Sequence, residues 1–350
     1  MSMNPRMLVL AREAQGLTQE ELARKVGMAQ SVINKAEKGG RLLPDASLPP
    51  VATVLRVTPG MLCWTDDVYG FGTASFFHRK QQSLPQRTLR KIQARVNLLR
   101  MRLVRLSSGI AVDAPLSMPR MDIDEVGSAN EVARRLRAAW RLPMGPLISL
   151  VGMVEAAGGT VVRRDFGTHR INAISVWNPD HGPLFVLNKG LSPENQRFIL
   201  GHELGHMIMH EGEPPRDEAE READQFAEEL LMPAAEIAGD LLDIDVRKAI
   251  ALKPYWRVPM QSLILRAEHM DIITHARSRS LHAYMNKAGY LTCEPMPLER
   301  EEPEVLNEMI RVHLQEHSYT QSELAKMLGM PEEDFATELA SERSGLRLIR

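Results

Sequence analysis

The string His202-Glu203-Leu204-Gly205-His206 combines residue types that could do chemistry at a spacing that lets them act together. Residues four apart on a helix share a face, one turn above the other, so His202 and His206 can converge on a single ion. Neutral imidazole suits Zn²⁺, and a hydrolytic zinc site has three protein ligands and a fourth position for water. Glu203 can take a proton from that water as it attacks a peptide carbonyl, then hand it to the leaving amine. The spacing fits metal-assisted peptide hydrolysis with Glu203 as general base.

A third ligand must come from nearby. His210 lies one further turn along, but three side chains in a line on one helix seldom wrap a tetrahedral ion. The next predicted helix, Asp217 to Met232, is the better source; Ala219, Ala223, Phe226 and Leu230 form its apolar stripe. Glu220 and Asp224 are four apart on it. One could bind the metal while the other accepts the free N–H of a ligating imidazole and fixes its tautomer. Glu222 is a rival ligand, and Glu218, Glu228 and Glu229 read as a solvated face.

These residues need a frame. Ser192 caps the motif helix with Pro193 at its first position. Before it, Thr160–Val162, Ala173–Trp177 and Leu184–Leu187 are short β-rich runs separated by turn residues, which predicts a small antiparallel sheet. Residues 128–158 read as helical, interrupted by Pro143 and Pro146 and closed by Gly158-Gly159. The expected fold class is α+β and mostly helical.

The motif through His210, followed by Glu220-x-Glu222-Ala223-Asp224-x-Phe226-Ala227 and Leu230-Leu231-Met232-Pro233, resembles the ImmA/IrrE metallopeptidases over about residues 128–240. The resemblance implies a gluzincin-like sheet packed on the active-site helix. It implies Zn²⁺ held by His202, His206 and Glu220, with Asp224 as the orienting partner. It also implies a metallo-endopeptidase that cuts a helix-turn-helix repressor or antitoxin-like protein, freeing transcription of stress or mobile-element genes. The oxyanion donor is left open among His169, Arg170 and Tyr255.

Charge divides the chain. Residues 1–110 carry 17 Lys+Arg against 7 Asp+Glu, a net of +10, so the rest, at −12, gives the overall −2. A basic front points to nucleic acid, or to docking on the chain's own acidic back. Thr18 and Glu21 form a capping box, Gly27 stops that helix, and a second helix from Gln30 ends at Gly39-Gly40. This stretch resembles the XRE-type, phage-repressor-like helix-turn-helix family over about 55 residues. The resemblance places Gln30, Ser31, Asn34 and Lys35 toward bases and phosphates of duplex DNA, with Thr18 and Gln19 near the backbone. Ala29 stands where the family usually has a capping Ser or Thr, and Ala36 where a larger aliphatic packs.

Residues 84–107 read as one basic helix whose Leu89, Ile92, Val96, Leu99, Leu103 and Leu106 form a heptad-like seam. That seam fits either packing on its own protein or a homodimer. The tail repeats the front: Thr320 to Met330 echoes Thr18 to Met28, but the helix after it begins Pro331-Glu332-Glu333-Asp334. Three carboxylates there argue for protein packing rather than phosphate contact. The expected organisation is a head (1–65), a basic stem and linker (66–125), a peptidase domain (126–240) and a helical interaction domain (241–350).

Hydrophobic residues at 44% and charged residues at 25% describe a folded chain. Two Cys form no disulfide framework, no signal-peptide block opens the sequence, and no run of about eighteen apolar residues could span a bilayer. A cytoplasmic location is expected. The leading reading is a zinc endopeptidase joined to a DNA-binding head. A regulator with a structural or vestigial zinc site, and the toxin of a toxin–antitoxin pair, are the alternatives.

Overall fold

The computed structural model describes residues 2–70, 76–77, 84–110, 114–178, 182–210 and 217–339. The fold is α+β and mostly helical, as expected. In the head, α1 (Pro5–Ala14), α2 (Gln19–Lys25), α3 (Gln30–Glu37) and α4 (Leu48–Leu55) close over Met7, Leu8, Leu22, Ile33, Val51 and Leu55. Thr18 caps α2 through the complete capping box with Glu21. Ala29 gives α3 no side-chain cap, the local cost of its departure from the usual residue.

After β1 (Phe76–Phe77) comes α5 (Gln86–Ser107). Then follow α6 (Ile123–Val126), α7 (Ala129–Ala139), α8 (Leu150–Ala156), β2 (Thr160–Arg164), β3 (Ala173–Asn178), β4 (Gly182–Asn188), α9 (Pro193–Met209) and α10 (Asp217–Leu231). Four helices succeed them, α11 (Ala234–Leu241), α12 (Val246–Trp256), α13 (Met260–His269) and α14 (His275–Lys287). The tail holds α15 (Val305–Gln315), α16 (Gln321–Met327) and α17 (Glu332–Glu338).

The sheet order is β1-β3-β4-β2. It corrects the expectation of an all-antiparallel sheet, because β2 pairs with β4 in parallel while β3 pairs with β4 antiparallel. The reason lies in β4, whose Leu184–Leu187 run is apolar on both faces and therefore takes the middle position. The chain crosses from β2 over β4 to reach β3, so β2 and β4 run the same way. One face, with Val161, Ala173, Phe185 and Leu187, packs on α9 and its neighbours. The other, with Val162, Ile174, Val176, Leu184 and Val186, packs on α5 and the tail helices.

Helix α5 is buried on two sides. Ile92, Val96, Leu99, Leu103 and Leu106 of the predicted seam pack in the core shared with the sheet and tail, while Ala94, Leu98 and Met101 pack on the head. Each of the larger side chains among them contributes about 1.5–3 kcal/mol by leaving water. The seam is thus occupied by its own chain, which corrects the homodimer expectation: the surface that would pair two copies is used in cis. Its cations are used the same way. Arg87 donates to Gly16 O, Arg95 to Ala14 O at 3.1 Å, Arg102 to Leu328 O at 3.1 Å, and Arg105 pairs with Asp66 at 2.8 Å.

The tail's second helix-turn-helix packs against the head. Gly329 O accepts from Thr58 N at 3.1 Å, and Arg56 Nε donates to both Asp334 oxygens at 3.0 and 2.9 Å. Among the described residues no helix is long and apolar enough to cross a membrane.

Candidate metal centre and nucleic-acid interface

Helix α9 is buried on all sides from Leu200 to Met209, the state of a helix enclosed by a sheet and other helices. Ser192 caps it and Pro193 starts it, as predicted. Gly205, inside the motif, is required by packing: a Cβ there would lie 2.9 Å from Phe226 Cδ1 and 3.3 Å from Ala223 Cα. The missing side chain lets α10 approach closely, and α10 carries the acids. Its predicted stripe of Ala219, Ala223, Phe226 and Leu230 is buried.

That approach brings His202, His206 and Glu220 together, with one ligand atom from each lying within 4.8 Å of the others. The two Nε2 atoms are 3.1 Å apart, and each is 3.6 Å from a Glu220 oxygen. Ligands about 2.0–2.1 Å from a tetrahedral zinc are separated by roughly 3.3 Å, so this donor set fits such an ion. Nδ1 of His202 meets Asp224 Oδ1 at 2.8 Å, which turns Nε2 toward the cluster.

The second imidazole is oriented through a relay that the sequence reading missed. His206 Nδ1 is 3.0 Å from His210 Nδ1, and His210 Nε2 is 2.9 Å from Glu222 Oε2. His210 and Glu222, weighed above as ligands, therefore stand behind His206 rather than in the cluster. Their signal was the further four-residue step from His206 to His210.

Glu203 is 3% exposed, and the Ser175 hydroxyl donates a hydrogen bond to Oε2. Burial pushes its carboxyl up to about 7, against the opposing pull of His202 and Ser175. His202 is also buried, but hydrogen bonds to Asp224 and Glu220 outweigh that and raise it to about 9. His206 lies well below the usual imidazole range through burial and the neighbouring imidazoles. A small cleft lined by Ile171, Asn172, Ala173 and Ile199 opens onto His202 and Glu203. Ser175 was not foreseen. Its signal was a hydroxyl on the alternating strand face that carries Ala173 and Trp177.

Two acids read as solvated are not. Glu228 and Glu229 are 3% and 2% exposed, because α13 lies over them. Arg266 pairs with Glu229, and His269 Nδ1 is 2.9 Å from Glu228. Tyr255, weighed as an oxyanion donor, is 58% exposed with its hydroxyl beside Gly145, and His169 packs beside Gly190.

On the head, Gln30, Ser31 and Lys35 of α3 are exposed, and Thr18 is exposed at the start of α2. Gln19 and Asn34 are half-buried. The Gln19 amide is a local hub, accepting from Asn34 at 3.0 Å and Gln30 at 3.3 Å and donating to Glu37 at 2.7 Å. Arg12 pairs with the same Glu37 at 2.5 Å, so α1, α2 and α3 are tied at one point.

Residues 154–268 match the family model of the IrrE N-terminal-like domain, a peptidase family, and residues 8–62 match a helix-turn-helix model. The chain therefore combines the XRE-type head and IrrE-like peptidase-family region that its motifs resemble, the composition of a DNA-binding regulator with a metallopeptidase-type domain. No curated protein matches the chain.

Proposed function

We propose that this chain is a zinc-dependent endopeptidase tethered to a DNA-binding head, and that it regulates transcription by cutting a repressor or antitoxin-like protein. The observation that carries this reading is the three-donor cluster of His202, His206 and Glu220 with the buried Glu203 beside it. Three protein donors are the count of hydrolytic zinc sites, whereas structural sites have four. A structural site would also leave Glu203 without a role.

Zinc bound there supplies Lewis acidity toward a water and a peptide carbonyl. Glu203 takes one proton from the attacking water and delivers it to the departing amine, so that one water and one peptide bond give a carboxylic acid and an amine, which ionise to carboxylate and ammonium. Its near-neutral carboxyl suits both transfers, and the Ser175 hydroxyl holds it in place. Asp224 and the His210–Glu222 relay hold the two imidazoles in the tautomers that direct Nε2 to the ion.

On the head, Gln30, Ser31 and Lys35 face the duplex, while Thr18, Gln19 and Asn34 set the angle at which α3 is presented.

The test compares purified full chain with three variants. Glu203→Gln is expected to retain one zinc per chain by metal analysis and to lose cleavage of a peptide library read by mass spectrometry. His206→Ala and Glu220→Ala are expected to lose both. A Glu203→Gln protein that cleaves as fast as wild type would overturn the hydrolytic reading.

A further inference from the structure

Helix α3 is turned so that Ile33 and Ala36 are buried in the head core. That rotation fixes which side chains it offers outward. Gln30, Ser31, Val32 and Lys35 are exposed, and Val32, 39% exposed, is the one large apolar side chain among them. Its branched Cβ holds the two methyl groups in one strongly preferred rotamer, so little freedom is lost when they meet a partner.

The polar residues of α3 are not equally available. Gln30 Nε2 donates to Gln19 Oε1 at 3.3 Å, and Asn34 Nδ2 donates to the same oxygen at 3.0 Å. Both amides are thus part of the tie between α2 and α3. Among the described residues, the side chains of Ser31 and Lys35 make no hydrogen bond or ion pair. The groups that α3 leaves uncommitted are a hydroxyl, an ammonium and the isopropyl group of Val32.

In helix-turn-helix docking, the first residues of the second helix meet base edges in the major groove. Val32 is the third residue of α3. The base edges there present hydrogen-bond donors and acceptors, and their one apolar group is the C5-methyl of thymine. An isopropyl group brought against that methyl buries apolar surface on both sides. Brought against a polar edge instead, it strips water from donors or acceptors and gives nothing in return. We propose that Val32 is a specificity-determining residue of the head, which reads the methyl group of a thymine in the duplex it binds. The inference rests on the DNA-facing reading of α3 and adds the base that α3 selects. It is independent of zinc and of hydrolysis.

The test starts from a library of duplexes with a randomised core, from which the full chain selects by repeated gel shift and sequencing. The enriched duplex is then remade with each thymine replaced in turn by deoxyuridine, which removes the methyl and keeps the pairing. By fluorescence anisotropy, wild type is expected to bind about fourfold more weakly at one such replacement, the worth of one buried methyl. Val32→Ser is expected to show no loss at that position. The substitution lies on the surface, and circular dichroism checks that the variant is folded. Wild-type affinity indifferent to every replacement, the same loss in Val32→Ser, or duplex binding with no enriched sequence would each overturn the assignment. Binding to no duplex at all would remove the DNA-facing reading itself, and the assignment with it.

Discussion

The chain contains the same local design twice, at Thr18–Lys38 and at Thr320–Glu338. Each opens with a Thr/Glu capping box, buries a Leu-Ala pair (Leu22-Ala23, Leu324-Ala325) and turns on a glycine of positive φ, 68° at Gly27 and 65° at Gly329. Beyond the turn they part. Helix α3 shows Gln30, Ser31 and Lys35 to solvent, whereas α17 begins with three carboxylates and sets Asp334 on Arg56 of the head. A Cβ at Gly27 would meet nothing within 4 Å; one at Gly329 would sit 2.7 Å from Trp64 Cζ2 and 2.8 Å from Met61 Cβ. The helix-turn-helix form is thus set by residues close in sequence, but its use depends on what covers the second helix. One copy is presented outward, and the other is a packing block.

The sharpest way to break that comparison is at the two glycines. Gly329→Ala combines left-handed backbone strain, about 1–2 kcal/mol, with a forced contact of about 1–3 kcal/mol. Trp64 cannot yield cheaply, since the Arg105 guanidinium stacks 3.4 Å over its ring. The expected loss is about 3 kcal/mol. Gly27→Ala should cost about 1 kcal/mol, from strain alone. Urea denaturation of the full chain measures both, and equal losses would show that the tail is not docked as described.

The same contrast explains what could be read in advance. Capping boxes, Gly turns, the α10 stripe and the motif helix depend on neighbours within a few residues, and Thr18, Ser192, Gly27 and Phe226 announced them. The pairing of His202 with His206 in the cluster was legible because four-residue spacing is a helix property. Long-range placement was not. Nothing near Ser175 says that it reaches Glu203, 28 positions away, and nothing near Glu229 says that Arg266 will cover it. The parallel β2–β4 pairing depends on chain crossover, and the α5 seam fitted self-packing and a dimer equally because its partner in the tail lies some 200 residues on.

How the tail is held offers a second, smaller test. Two helices of the head are capped by nearby residues, Asn4 for α1 and Thr18 for α2. Helix α15 is instead capped from afar: buried Glu155 accepts from Glu304 N at 2.9 Å and Val305 N at 3.4 Å. Burial pushes its carboxyl up to about 7 from an ordinary 4.5, with these N–H groups opposing. The folded chain thus holds this proton more tightly than the unfolded chain, so the stabilisation is full below about 4.5 and falls as pH rises toward 7. Glu155→Gln should remove that slope. Compared with wild type, it should lose about 3 kcal/mol less stability between pH 4.5 and pH 8. Parallel pH profiles would mean that Glu155 is solvated and the tail is anchored elsewhere.

The smallest expected effect compares one exposed lysine from each copy. Lys35 is exposed on α3, and Lys326 is exposed on α16 of the docked copy. If α3 faces phosphates, Lys35→Ala weakens binding to duplex DNA by about 1 kcal/mol and lowers the salt slope by about 1, uniformly across sequences. Lys326→Ala removes the same charge from the same protein, so it alters net charge equally and should leave both quantities unchanged. The pair separates a positioned contact from general electrostatic attraction, which screens every exposed cation alike. Equal weakening by the two variants would mean that the head attracts DNA only through bulk charge, and that the outward-facing copy is no more specialised than the docked one.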